Sequence, residues 1–234
     1  MKLGIMQPYI FPYIGYFQLI KAVDRFVVYD DVAFIKQGWI NRNRILLNGE
    51  PHTFTVPLKN ASSFVTIGNT GINQDIFPTW SNKFLKTLTQ AYSKAPYYNE
   101  VFELVSLVLF GPCDTISILA TNSLIQTCSY LNITTEFVRS AVPYQNSDLK
   151  AKDRVIDICK KEKAEIYINP IGGKELYDKA DFKQAGLDLF FLRTGNISYE
   201  QRVREFVPWL SIIDVMMYNS PETIMGFLND FDLE

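Results

Sequence analysis

One histidine, His52, serves a chain of 234 residues. That scarcity excludes His-rich metal sites and any mechanism that needs two imidazoles. Cysteine is nearly as sparse. Cys113, Cys128 and Cys159 are an odd number at wide spacing, which frames neither a disulfide scaffold nor a zinc knuckle. Reduced thiols with a role in the core are the expectation. Neither sign of charge dominates: 23 Lys and Arg stand against 25 Asp and Glu, a net charge of −2. A nucleic-acid binder working through bulk positive charge is therefore disfavoured. No apolar run approaches the roughly 18 residues of a membrane span. The apolar residues after Lys2 are interrupted by Gln7, Pro8, Pro12 and Gln18, with no small-residue cleavage site behind them, so they do not read as a signal peptide. The expectation is a soluble, cytoplasmic protein.

What is present is a chain 47% hydrophobic and 14% aromatic, enough to bury a real core. No internal repeat, low-complexity tract or composition break marks a linker. The simplest organisation is a single α/β domain over 1–234 with a helical insertion at about 75–131.

Leu3 to Met6 is a short apolar run stopped by Gln7-Pro8, as a buried first strand would be. Two prolines and three aromatics make 8–15 a structured loop. A helix from near Gly15 to before Asp24 and a strand at Phe26–Tyr29 complete a βαβ unit, the signature of a parallel sheet. Asn48-Gly49 between Ile45–Leu47 and Thr53–Val56 signals a hairpin, at the sheet edge or over its loops. Residues 60–74 read as a loop. Phe84, Leu85, Leu88, Ala91 and Tyr92 form a helical stripe, Val101, Leu104, Val105 and Val108 another, and Asp114 is placed to cap a third helix to about Tyr130. Glu136–Arg139, Ile166–Ile168 and Leu189–Leu192 are further strands. Asp148 is placed to cap a helix whose Val155, Ile158 and Cys159 face inward. The fold expected is a three-layer α/β domain with a mostly parallel, Rossmann-like sheet, an antiparallel hairpin and a helical insertion.

Ligands of such sheets bind beyond the carboxyl ends of the strands, so the loop from Gln7 to Tyr16 is the leading site candidate. Gly15 would let a phosphate approach the backbone, and Tyr9, Tyr13 and Tyr16 offer hydroxyls and flat faces to a base or sugar. The bland alternative is that these rings plug the top of the sheet. Arg42 and Arg44 flank Asn43 where an arginine fork could hold a phosphate or carboxylate. Asp30 and Asp31 could act as base, ligate Mg²⁺ or accept sugar hydroxyls, or they could simply close a turn. Lys152 and Arg154 open a helix, where cations are unfavourable unless an anion lies nearby. Gly172-Gly173-Lys174 lacks full phosphate-loop spacing and reads as a tight turn. Ser198 and Ser211 read as helix caps.

The segments Met6-Gln-Pro-Tyr-Ile-Phe-Pro-Tyr-Ile-Gly-Tyr-Phe17, Val23-Asp-Arg-Phe-Val-Val-Tyr-Asp-Asp-Val32 and Trp39-Ile-Asn-Arg-Asn-Arg-Ile45 closely resemble the WbqC-like family. The resemblance runs on through Thr87–Tyr97, Ala164–Pro170, Tyr199–Gln201 and Phe206–Asp214. It implies an association with bacterial surface-polysaccharide (O-antigen) gene clusters. The family often has a His-Pro-x-Tyr-x-Gln-like segment where this chain has Asn196-Ile-Ser-Tyr-Glu-Gln201, so no role of that histidine carries over. The opening βαβ unit also resembles the nucleotidylyltransferase superfamily, with Tyr13-Ile14-Gly15-Tyr16 in place of its His-x-Gly-His. Tyrosine titrates near 10 and cannot supply an imidazolium's charge, which leaves nucleotide binding open but not ordinary adenylyl transfer.

The resulting expectation is a transferase that binds a nucleotide-activated sugar and acylates or aminoacylates a sugar amine. Gln7, Tyr9, Tyr13, Gly15, Tyr16, Trp39, Arg42, Asn43 and Lys152 are expected to bind the ligand, with Asp30 and Asp31 catalytic and Mg²⁺ an open cofactor question. An ATP-dependent ligase or nucleotidylyltransferase relative is the alternative enzyme, and a non-catalytic nucleotide-sugar-binding protein the alternative outside enzymes.

Overall fold

The computed structural model describes residues 1–234. Ten strands and eight α-helices follow in the order β1 (Lys2–Met6), α1 (Ile14–Ala22), β2 (Arg25–Val28), β3 (Arg42–Leu47), β4 (Glu50–Thr55), β5 (Leu58–Lys59), β6 (Gly71–Ile72), α2 (Phe77–Tyr92), α3 (Tyr98–Phe110), α4 (Ile116–Tyr130), β7 (Glu136–Val138), α5 (Ala151–Lys161), β8 (Ile166–Pro170), α6 (Lys179–Gln184), β9 (Asp188–Thr194), α7 (Ile212–Tyr218), α8 (Pro221–Phe227) and β10 (Phe231–Leu233).

Six strands form the central sheet in the order β10-β9-β8-β1-β2-β7, all parallel except β10. This is the doubly wound arrangement, in which the chain reverses direction across the sheet between β1 and β8. The pleat sorts the core into two layers. Phe26, Val28, Ile168 and Leu192 face a 41-residue apolar cluster with α1, the three insertion helices, α7 and α8. Leu3, Ile5, Val27, Tyr167 and Phe191 face a 13-residue cluster with α5 and α6. Alternate residues thus bury on opposite faces, as strands covered on both sides require. Each fully buried Leu, Ile or Phe adds about 1.5–3 kcal/mol relative to exposure.

Asn48 and Gly49 both take positive φ (53° and 82°), the type I′ geometry that joins β3 to β4. The hairpin is a separate two-stranded sheet. It covers the loops above the main sheet, held by Leu46 N–H donating to Tyr92 Oη (2.9 Å) and Ser211 N–H donating to the Arg44 carbonyl (2.8 Å). His52 sits in β4 opposite Ile45.

Several local expectations are corrected. α4 is capped by Thr115, whose hydroxyl accepts from Ile118 N–H, and not by Asp114. α5 starts at Ala151, which takes a positive φ (46°), with Lys150 and not Asp148 at the cap position and no side-chain cap bond. Ser198 caps nothing, since 195–210 is irregular, whereas Ser211 caps α7 through Ile213 N–H (3.2 Å). Helix α6 (Lys179–Gln184) and strand β10 were not placed from the sequence. No helix is long and apolar enough to cross a membrane.

Candidate functional site

The first βα loop is pinned at one residue. Phe11 is fully buried with φ of 40°, a conformation a bulky side chain adopts only when its surroundings impose it. Three side chains do so. Asn43 Nδ2 donates to the Phe11 carbonyl (2.7 Å), Ser211 Oγ donates to the same oxygen (2.7 Å), and Phe11 N–H donates to Ser123 Oγ (3.1 Å). Asn43 Oδ1 accepts from Arg44 N–H, so this amide is engaged at both ends by backbone.

Beyond the pin, Tyr13 precedes α1 and turns its ring towards the end of β9. Gly15 makes room for it. A Cβ there would lie 2.4 Å from the Tyr13 ring and 2.5 Å from Thr194 Oγ1. The glycine is therefore needed for packing, and the space over it is filled by protein rather than left for a phosphate. Tyr16 is buried, and its hydroxyl donates to the Gln7 carbonyl (2.6 Å). Burial holds the Tyr9, Tyr13 and Tyr16 hydroxyls above their ordinary pKa, so all three are neutral hydrogen-bonding groups.

Tyr13 forms one wall of a cavity of about 420 Å³ with Tyr199, Phe206 and Trp209, and with Asn196 and Ser198 as polar groups. Tyr13 and Trp209 meet edge to face at 5.5 Å. Trp209 is 60% exposed and holds φ at 62°, a second bulky residue in the left-handed region. Aromatic walls with a few polar groups, at the carboxyl end of a strand and the start of a helix, suit a planar base or a sugar ring.

A buried network fixes this wall from behind. Asp214 is fully buried and accepts from Tyr92 Oη (2.6 Å), Tyr199 Oη (2.7 Å) and Gln201 Nε2 (3.3 Å). Desolvation raises the Asp214 carboxyl above its usual range, against the pull of those three donors. The Tyr199 hydroxyl is raised too, by burial and by the adjacent carboxylate. Tyr199 presents a fixed ring to the cavity, its hydroxyl turned inward.

Asp30 and Asp31 lie elsewhere on the carboxyl edge, in a cavity of about 710 Å³ above the ends of β2 and β7. Asp30 is buried and accepts from Ser117 Oγ (2.8 Å), Ser140 Oγ (2.7 Å) and Ala141 N–H (3.1 Å). Asp31 pairs through Oδ2 with Arg154, which stacks on Tyr29 at 4.9 Å. The anion that offsets Arg154 at its helix start is thus Asp31, and Lys152 pairs with Asp181 (2.5 Å). No cluster of three or more His, Cys, Asp or Glu side chains is gathered to hold a metal.

On the hairpin, Arg42 and Arg44 both stack over Trp39, at 5.3 and 5.4 Å. Arg42 donates to the Gly38 and Gln37 carbonyls. Arg44 Nε has no hydrogen-bond partner. Gln7 lines a third, smaller cavity of about 290 Å³ at the reversal between β1 and β8, beside Asn169 and Gly173. Lys174 is paired with Glu234 (2.7 Å).

The expected set is therefore dispersed. Tyr13 lies in the aromatic cavity, the two acids in another, Gln7 in a third, Arg42 on the hairpin with Trp39 in the bend before it, Lys152 in an ion pair on α5, and Tyr9, Gly15, Tyr16 and Asn43 in the packing around the loop. The sequence reading missed Asn196, Phe206 and Trp209 as a site. The available signal was a pair of aromatics around Pro208 in an irregular, charged stretch.

A family model described as the WbqC-like protein family matches residues 7–225. An uncharacterized protein, Rv1507c, of Mycobacterium tuberculosis is 30% identical over 223 residues, covering 92% of each chain. No solved structure matches.

Proposed function

The chain belongs to the WbqC-like protein family, and from that premise we propose that it binds a nucleotide-activated sugar in the aromatic cavity, as a cytoplasmic transferase of bacterial surface-polysaccharide synthesis. The observation that carries this reading is the cavity's construction. Tyr13 packs edge to face on Trp209, which holds a strained conformation, and the pair forms an aromatic wall where the first βα loop meets the end of β9.

In this reading Arg44, outside the cavity wall, is the cation assigned to the diphosphate. Its carbonyl binds Ser211 N–H, next to the cavity residue Leu210, and its guanidinium keeps an unspent donor. Arg42 has already committed donors to two carbonyls. The reaction in this reading is transfer of an acyl or aminoacyl group to a sugar amine.

A second reading, a binding protein without turnover, draws on one feature: the cavity wall holds no Asp, Glu, Lys, Arg or His. Thermal shift with ATP and with UDP-, dTDP- and GDP-linked sugars, each with and without Mg²⁺, tests the binding. A ligand at 100 times its Kd stabilises by about 2.7 kcal/mol. A selective shift with one sugar nucleotide supports the proposal, a shift with ATP alone supports a ligase, and silence from all sinks the nucleotide site. Turnover of the bound sugar nucleotide then separates transferase from binding protein.

A further inference from the structure

We propose that the 710 Å³ cavity above β2 and β7 is a second ligand site, for a sugar that carries no negative charge. In the reading above it would be the acceptor site, but the inference stands on the cavity's own chemistry.

Hydroxyl and amide side chains make up most of its lining, among them Thr115, Ser117, Thr121, Asn122 and Asn146. Such groups donate and accept alike, as sugar hydroxyls do. Two buried polar atoms in this wall lack any partner. Thr121 is 3% exposed and its hydroxyl makes no hydrogen bond, and Asp31 Oδ1 is likewise unpaired while Oδ2 holds Arg154. An unsatisfied buried polar group costs about 1–3 kcal/mol, so a sugar hydroxyl that reaches these atoms offsets a cost the protein otherwise carries alone.

The charge pattern selects the kind of ligand. Asp30 and Asp31 stand in the wall, Arg154 is bound to Asp31, and Arg139 is an exposed residue of the lining. The two acids and the two arginines cancel, so the cavity offers a phosphate or carboxylate no net attraction, and a neutral sugar or an amino sugar needs none. Ile118 and Val142, 43% and 60% exposed, are the apolar members of the lining and offer a surface for the C–H face of a pyranose.

Ligand-observed saturation-transfer NMR on the full chain tests this with glucose, N-acetylglucosamine, glucosamine and glucuronate as probes. The expected result is binding of at least one of the first three, and none of glucuronate. Thr121→Val, which keeps the side-chain shape, should weaken that binding by about tenfold, and Asn122→Leu should weaken it similarly by removing an amide that donates and accepts. Both variants should keep the thermal shift given by the sugar nucleotide at the aromatic cavity. Preference for glucuronate, binding that both variants retain, or no binding by any probe overturns the second site. Loss of sugar-nucleotide binding alone would overturn the first reading and leave this one standing.

Discussion

Asn43 and Phe11 are 32 residues apart in sequence and joined by a 2.7 Å hydrogen bond, the amide of one holding the carbonyl of the other in a left-handed turn. The same amide also reaches the Ile10 carbonyl at 3.2 Å. Asn43→Ala would strip a buried carbonyl of one of its two side-chain donors and remove part of what enforces the turn. The expected cost is about 2 kcal/mol, read from urea unfolding. Asn43→Asp should cost more, because a carboxylate would face two carbonyl oxygens with no donor between them.

Trp209→Ala should abolish the sugar-nucleotide thermal shift while changing stability by less than about 1 kcal/mol, since an exposed ring contributes little to the core. Arg44→Ala should reduce that shift and Arg42→Ala should leave it, because Arg42 already spends its Nε and Nη2 on the Gly38 and Gln37 carbonyls. Equal effects of the two arginines would contradict the assignment.

Gly15→Ala places a methyl group against the Tyr13 ring and Thr194 Oγ1. Displacing a packed ring costs about 1–3 kcal/mol. Ligand affinity should fall with it, since Tyr13 is a wall of the cavity. Unchanged affinity in a folded Gly15→Ala protein would place the ligand elsewhere.

The Asp214 carboxyl is raised by burial, so the folded chain holds its proton to higher pH than the unfolded chain does. Stability is then lost as pH rises from the unfolded carboxyl's value, about 3.9, through the raised native one, and the loss levels off above it. Asp214→Asn has no such carboxyl. Its stability relative to the parent should rise across that window and stay constant beyond it, as followed by melting temperature against pH.

Cys128 and Cys159 are buried, and desolvation pushes both thiols up to about 12. Cys113 is half-buried and raised less far. A thiol reagent at neutral pH should label Cys113 in the native protein and all three residues in denaturant.

The sequence was legible where local chemistry decides conformation. Gln7-Pro8 ended β1, Asn48-Gly49 set the hairpin, and the 3.6-residue stripes of α2 and α3 marked their buried faces. It was illegible where tertiary partners decide. Phe231-Asp-Leu233 is a strand because β9 offers an edge, not because three residues with a charge between them favour one. Ser198 reads in sequence as a helix cap, but its neighbours Tyr199 and Gln201 instead reach inward to Asp214. The site followed the same division. Tyr13 could be named from the first loop, but its partners Tyr199, Phe206 and Trp209 arrive from the far end of the chain, and no local pattern joins them.

Phe11 also ties the site to the order in which the chain is made. Its three holders come from β3, from a helix 112 residues away and from a residue 200 away. A growing chain that has released its first strands still lacks Ser211, and with it Trp209 and the far wall of the aromatic cavity. A ligand of this cavity would find both of its walls only once the chain through Ser211 has been synthesised and docked.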